Sequence, residues 1–312
     1  MSCRAEFFQK QVQQILNTWG ARLPENFDIM YYDGDWEEET IEGNHIKCST
    51  HDSIETTFVK TIAAIQAVIN NGYDYILRVN TSTWVNVPLL NKFIQEIAED
   101  DKIYAPELYS LSEAPAPLPC DLYARGNIIL IPIKLARILC TYSIFQLHTK
   151  MVDDVAIGNI LNSYWALQYR NPFDYVNHIK GLPFGWYKAS PEKFNLGHQL
   201  CCFGEDRKEP EFYNRFIAVQ TKQYRRRDGE LENMLEFDNM MKDAGEPSLD
   251  LCKSYMNNPS IFIGSILGYV NYSVWKSVPK HELLYLEKTH KAIDDKENPN
   301  YIKEEYDRLH KF

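Results

Sequence analysis

Apolar residues recur at helical spacing at Phe8, Val12, Ile15, Leu16 and Trp19, so residues 5–19 are expected to form an amphipathic helix that stops at Gly20. Phe27-Asp28-Ile29-Met30-Tyr31-Tyr32 reads as a strand closed by the turn Asp33-Gly34-Asp35, and Glu37-Glu38-Glu39 reads as a solvated loop. Asp52 and Glu55 have capping-box spacing ahead of a helix that puts Ile54, Phe58, Ile62, Ile65 and Ile69 on one face, with Gly72 just past its end. Tyr73 to Val79 is apolar without alternation, the pattern of a strand buried on both faces. Pro88 suits the first position of a helix running to about Ala98. Lys102 to Leu108 and Leu122 to Ile131 read as strands on either side of a proline-rich loop, Ser112 to Pro119. Pro132 then opens a helix to about Cys140, and Asp153-Asp154 lead into another to about Leu167. Past residue 170 the pattern loosens into short strands, a basic stretch and a helix from Glu230 to Lys242.

Strands that alternate with helices predict an α/β sandwich around a mostly parallel central sheet. Glu246-Pro247-Ser248 reads as a linker, which divides the chain into a main unit, 1–244, and a largely helical extension, 245–312. There is no internal repeat.

The 312 residues are 45% hydrophobic and 24% charged, an ordinary globular balance. A formal charge of −10 argues against a nucleic-acid partner, while 13% aromatic content suits clefts for sugars or nucleotides. The seven cysteines include no C-x-x-C spacing, which points to reduced thiols in a reducing compartment. Charge near Met1 and the shortness of the apolar stretch Ile261 to Val270 predict no signal peptide and no membrane span, hence a soluble cytoplasmic protein. Phosphate-binding glycine loops, the HExxH zinc motif and the GxSxG nucleophile motif do not occur.

Ligands of open α/β sheets bind beyond the carboxyl ends of strands, which singles out three segments. At the first, Tyr32 could stack on a base and Asp33 accept from a ribose hydroxyl; the plainer reading is a polar turn capped by a half-buried tyrosine. At the second, Arg78-Val79-Asn80-Thr81-Ser82-Thr83-Trp84 runs from a buried strand into small polar side chains suited to sugar or phosphate. None of these is a carboxylate, so the segment alone is a poor site for Mg²⁺ or Mn²⁺, and its polar residues could simply cap the next turn. At the third, Asp153-Asp154 open a helix, where one carboxylate can cap and the other face a cleft as general base; the plainer reading makes both ordinary first-turn residues. A basic cluster from Arg207 to Arg227, including Lys222, Arg225, Arg226 and Arg227, matches phosphate geometry or forms a solvated face.

In order along the chain, these segments resemble the GT-A-fold glycosyltransferases of the β-1,3-galactosyltransferase and Fringe group. Leu16-Asn17-Thr18-Trp19-Gly20 is similar to that group's arginine–x–threonine–tryptophan–glycine stretch, and Lys60-Thr61 to its lysine–threonine pair. Arg78 to Asn86 has the frame of its aspartate run and hydrophobic triplet, with Asn80-Thr81-Ser82 where the aspartates stand. Asp153-Asp154-Val155 with Gly158 resembles its glutamate–aspartate–valine motif. The likeness covers residues 10–240. It implies a GT-A-like three-layer sandwich and inverting transfer from a nucleotide-sugar, a UDP- or GDP-sugar, to a glycan hydroxyl, in a setting of polysaccharide synthesis.

On that resemblance Asp154 is the catalytic base. Tyr32, Asp33, Arg78, Asn80, Ser82, Lys222, Arg225 and Arg227 would bind the donor, and Trp84, Asp153 and Trp186 the acceptor. The missing aspartates leave no metal ligand assigned. A divalent cation remains an open cofactor, with Lys222 and Arg225 to Arg227 as fixed positive charge in its place. Competing expectations are a non-catalytic nucleotide-sugar or glycan binder of the same fold, an interaction protein using the acidic loop and Tyr-rich tail, and, more remotely, a glycosyltransferase acting on DNA.

Overall fold

The computed structural model describes residues 4–53, 56–110, 122–124, 126–143, 153–169, 178–187, 209–221, 229–254, 260–263 and 269–271. Helix α1 (Glu6–Asn17) buries Gln11, Val12 and Ile15 and ends at Thr18, ahead of a 3-10 turn, Trp19–Arg22. Three short strands follow, β1 (Tyr31–Asp33), β2 (Thr40–Glu42) and β3 (His45–Lys47), which form a sheet in the order β1-β3-β2. The expected strand at Phe27–Tyr32 is therefore regular only at its end.

Helix α2 (Thr57–Val68) begins without a side-chain cap. The Asp52 carboxylate expected to cap it instead takes the ammonium of buried Lys60 and the backbone N–H of Arg4. A buried cation is a stronger claim on a carboxylate than a helix N–H, so the capping box gives way.

Strands β4 (Tyr75–Val79) and β5 (Thr83–Val85) lead to α3 (Val87–Glu96), where the Asn86 side chain accepts from Leu89 N–H and Pro88 lies in the first turn. Then come β6 (Ile103–Ala105), β7 (Glu107–Ser110), β8 (Leu122–Ala124), β9 (Ile128–Pro132), α4 (Ile133–Tyr142) and α5 (Asp153–Tyr169). The chain continues through β10 (Ile179–Gly181), β11 (Phe184–Trp186), α6 (Pro210–Tyr213), β12 (Ala218–Gln220), α7 (Glu230–Lys242), α8 (Leu249–Ser254), β13 (Ser260–Ile263) and β14 (Tyr269–Asn271).

The architecture is mixed α/β. The central sheet has the order β10-β6-β9-β4, and it is mixed, where a mostly parallel sheet was expected. Strand β10 runs parallel to β6, but β9 runs antiparallel to both β4 and β6. The reason lies in the connection. Strands β6 and β7 run out, and β8 and β9 return as their antiparallel partners across the Pro-rich residues 112–119, with no crossover helix in the described chain between them. A parallel neighbour needs such a crossover.

Period-two alternation along β9 feeds two separate cores. Ile129 and Ile131 join Phe58, Ile62, Leu135, Leu139, Ile157 and Trp165 beneath α2, α4 and α5. Ile128 and Leu130 join Trp84, Leu89, Phe93, Phe184, Phe216 and Phe237 on the opposite face. Every residue from Ile128 to Ile131 is fully buried, as an unbroken apolar run requires. Past residue 245, α8 packs on α3, and β13 pairs in parallel with β7.

The turn after β1 is intolerant of any side chain. A Cβ on Gly34 would stand 2.3 Å from the carbonyl oxygen of Thr50, a backbone atom that also accepts from Asp35 N–H at 2.8 Å. Gly34→Ala is therefore expected to cost about 1–3 kcal/mol, read as a lowered midpoint in urea unfolding with an unchanged slope.

Candidate functional site

Strand β4 ends in a tight turn: Thr83 N–H donates to the carbonyl of Asn80, and Asn80 N–H donates to the carbonyl of Asn127 in the β8–β9 turn. The N-terminus of α5 meets this point, and the residues that converge there are Arg78, Gly126, Asp153 and Asp154. Arg78 donates from Nε to Asp153 Oδ2 at 2.8 Å and from Nη2 to Asp153 Oδ1 at 3.0 Å, a two-pronged ion pair in which both side chains are about 95% buried. Its third nitrogen, Nη1, donates to Asn80 Oδ1 at 2.8 Å and to the carbonyl of Gly126. Thr61 Oγ1 also donates to Asp153 Oδ2 at 3.1 Å and meets the Tyr32 hydroxyl at 2.7 Å.

The adjacent carboxylates thus have different fates. Asp153 is neutralised in the ion pair. Asp154 is half-buried, accepting Gly126 N–H at 3.0 Å on Oδ2 and Val155 N–H at 2.9 Å on Oδ1. Burial, with the Asp153 charge next in weight, pushes its pKa above the usual carboxylate value; the Arg78 guanidinium and the two N–H donors only partly oppose this. A Cβ on Gly126 would lie 3.0 Å from Asp154 Oδ2 and 3.2 Å from Arg78 Nη1, so a larger residue there would have to press both side chains back by a few tenths of an ångström.

Several expected contacts go elsewhere. Tyr32 is 7% exposed, with its ring in a small core and its hydroxyl on Thr61. Asp33 is buried and accepts from Gln9 Nε2 at 3.0 Å, Trp36 Nε1 at 2.6 Å and His45 Nε2 at 2.9 Å, which leaves it no role on a ribose. Trp84 is a core residue that donates from Nε1 to Asp238 Oδ1 at 2.8 Å and packs edge-on against Phe237, so an acceptor cannot reach it. Arg78 and Asp153 hold each other and are not presented to donor or acceptor. Ser82 is buried, its hydroxyl taking Gln220 Nε2 at 2.6 Å, and Asn80 is turned to Arg78. Trp186 lies in β11, but its side chain is outside the described residues, as are Lys222, Arg225 and Arg227.

The residues flanking that basic stretch are described, and both ends are fixed beside β4. Thr221 donates from N and Oγ1 to the Ser82 carbonyl, each at 3.0 Å. Glu230, at the start of α7, accepts from Gln11, whose side-chain oxygen accepts from Thr81 Oγ1 at 2.6 Å.

These side chains do not fit a hard divalent cation. A guanidinium occupies the centre of the cluster, the oxygens of Asn80 and Ser82 accept from protein donors, and no group of three His, Cys, Asp or Glu side chains stands together among the described residues. Among the described cysteines, Cys48 and Cys252 are buried free thiols whose pKa burial pushes to about 12.

Sequence reasoning missed Gly126, Thr61 and the Gln11–Glu230 link. Gly126-Asn127 was legible as a turn signal inside the apolar run Leu122–Ile131, and Thr61 as half of the lysine–threonine pair. Nothing in the sequence signals the Gln11–Glu230 contact. Among the described residues no helix is long and apolar enough to cross a membrane. No protein-family model matches the chain, and no curated protein is detectably similar to it.

Proposed function

We propose that the chain is an inverting glycosyltransferase that moves a sugar from a nucleotide-sugar, a UDP- or GDP-sugar, to a glycan hydroxyl, with Asp154 as general base. The observation that carries this reading is the division of labour between adjacent carboxylates. Asp153 is consumed by Arg78, while Asp154 stands half-buried at the carboxyl end of β4 with a raised pKa, the condition that makes a carboxylate a better proton acceptor.

In the reaction, Asp154 takes the proton of the acceptor hydroxyl as that oxygen attacks the anomeric carbon. The bond from that carbon to the diphosphate oxygen breaks on the opposite side, and the nucleoside diphosphate leaves with the bonding pair. Charge developing on the diphosphate needs a cation. Lys222 and Arg225 to Arg227 supply it in this proposal, on a stretch whose flanks are bonded to Ser82 and, through Gln11, to Thr81. No step is routed through a metal.

A second reading, a nucleotide-sugar or glycan binder without turnover, draws support from the internal engagement of Asn80 and Ser82. One experiment separates the two: thermal unfolding against UDP, GDP, CMP, dTDP and their sugars, with Mn²⁺ or with EDTA, followed by product analysis for the nucleotide that binds. A ligand at a hundred times its Kd adds about 2.7 kcal/mol, a rise of a few degrees. The expected outcome is one nucleotide raising Tm equally with Mn²⁺ and EDTA, and its sugar being transferred. Binding without transfer selects the second reading, and no shift from any nucleotide refutes both sugar transfer and nucleotide-sugar binding.

A further inference from the structure

Beside β4 lies a slot of about 630 Å³, lined by β4, by the stretch 26–32 and by side chains of α2 and α3. One wall is the outer edge of β4, the last strand of the central sheet; the other is the stretch 26–32 ending in β1, the last strand of its own sheet. The apolar side chains of Met30, Ile76 and Leu77 line the slot and are only half-buried, whereas the neighbouring β9 is fully buried. An edge strand is usually blunted by a charge, a bulge or a proline. Tyr-Ile-Leu-Arg-Val has no bulge or proline, and its one charge is turned inward on Asp153.

Backbone hydrogen bonds fix which groups point into the slot. Asn80 N–H bonds to the Asn127 carbonyl, and Ile133 N–H to the Asp74 carbonyl, so even-numbered residues of β4 face β9 and the N–H and C=O of Tyr75 and Leu77 face the slot. Tyr31 N–H bonds to the Asn44 carbonyl, and the Asp33 carbonyl takes Cys48 N–H, so Tyr31 and Asp33 face β3 and the backbone of Met30 faces β4. The two edges also run the same way. Asp28 takes the Tyr73 hydroxyl at 2.5 Å at one end, and Tyr32 and Arg78 meet at the other through Thr61 and Asp153.

We infer that residues 27–31 form a strap that closes the slot by pairing in parallel with β4. Met30 N–H then donates to the Tyr75 carbonyl, and Leu77 N–H donates to the Met30 carbonyl. Strands β2, β3, β1, β4, β9, β6 and β10 become one sheet. The open and closed forms are two states of the fold, and closure stiffens the strand that carries Arg78. A lipid chain could occupy the same volume, but it would not pair the backbone groups of Met30, Tyr75 and Leu77, which pairing by the strap does. An added peptide strand satisfies the edges too, but must overcome the entropy of association, whereas the strap is already tethered at Asp28 and Tyr32. The inference does not depend on sugar transfer.

The test is amide hydrogen exchange by NMR on the full chain. Leu77 is expected to exchange at least a hundredfold more slowly than an unpaired amide, and to show an amide–Hα Overhauser contact with residues 29–31. Met30→Pro, which removes the strap's donor, is expected to speed Leu77 exchange at least tenfold while Ile76 and Arg78, bonded to β9, stay protected. An unprotected Leu77 in the wild type overturns the inference. So does protection without the Overhauser contact, which would mean that something other than the strap covers the edge. Both wild-type readings stand even if the proline variant fails to fold.

Discussion

Arg78→Met will destabilise the fold by about 3–5 kcal/mol, the cost of stranding one member of a buried ion pair. The substitution leaves Asp153 about 96% buried with Thr61 as its remaining described donor and a second carboxylate next to it in the chain. It also strips Asn80 Oδ1 and the Gly126 carbonyl of their shared donor. The double variant Arg78→Met with Asp153→Leu removes both charges and should recover at least half of the loss, because the uncompensated charge is the larger part of the penalty. Arg78→Lys retains the charge but cannot serve Asp153, Asn80 and Gly126 at once, and should fall between the two. Urea unfolding of the four proteins measures this. Equal stability of the single and double variants would mean that the pair is not buried as described.

The second large effect is on turnover. Asp154→Asn will lower transfer at least about a hundredfold, the lower end of what a positioned general base supplies, with little change in donor-induced Tm shift. The same change should raise stability at neutral pH. Burial raises the Asp154 pKa in the folded state, so ionising it there is less favourable than in the unfolded chain. The associated stability is fully present below the unfolded value, about 3.9, and is lost as pH rises through the folded one. Asparagine does not ionise. Its advantage over the wild type is therefore expected at pH 7 and should vanish towards pH 3, as thermal melts across that range can read. In the wild type the acid limb of the transfer profile should lie above the ordinary carboxylate range. A variant that is more stable yet inactive identifies a residue kept for chemistry; one that is inactive and less stable identifies a structural carboxylate.

Local patterns carried much of the fold. Helices α3, α5 and α7 lie where periodicity, a proline start and acidic first turns put them, and β9 is buried as its apolar run implies. What one-dimensional reading could not supply was which distant groups compete for a side chain. Asp33 serves Gln9, Trp36 and His45 from three separate stretches, and Asp52 serves Lys60 and Arg4 in preference to a helix end. Trp84 is drawn into the core by Asp238, 154 residues away. The pair Asp153-Asp154 stood out in the sequence as two carboxylates opening a helix; that Arg78 would claim Asp153, rather than a cap or an acceptor, required the β4–α5 junction, which no spacing rule describes.

The parallel pairing of β13 with β7 has a consequence for how the molecule is made. The edge of β7 is synthesised about 150 residues before its partner. At 5–20 residues per second the ribosome needs roughly 8–30 s to deliver Ser260–Ile263. During that interval Glu107–Ser110 is a nascent strand with an open flank, competent to recruit the same segment from a neighbouring chain. Expression level and chaperone supply, rather than the stability of the finished molecule, will then govern the yield of monomer.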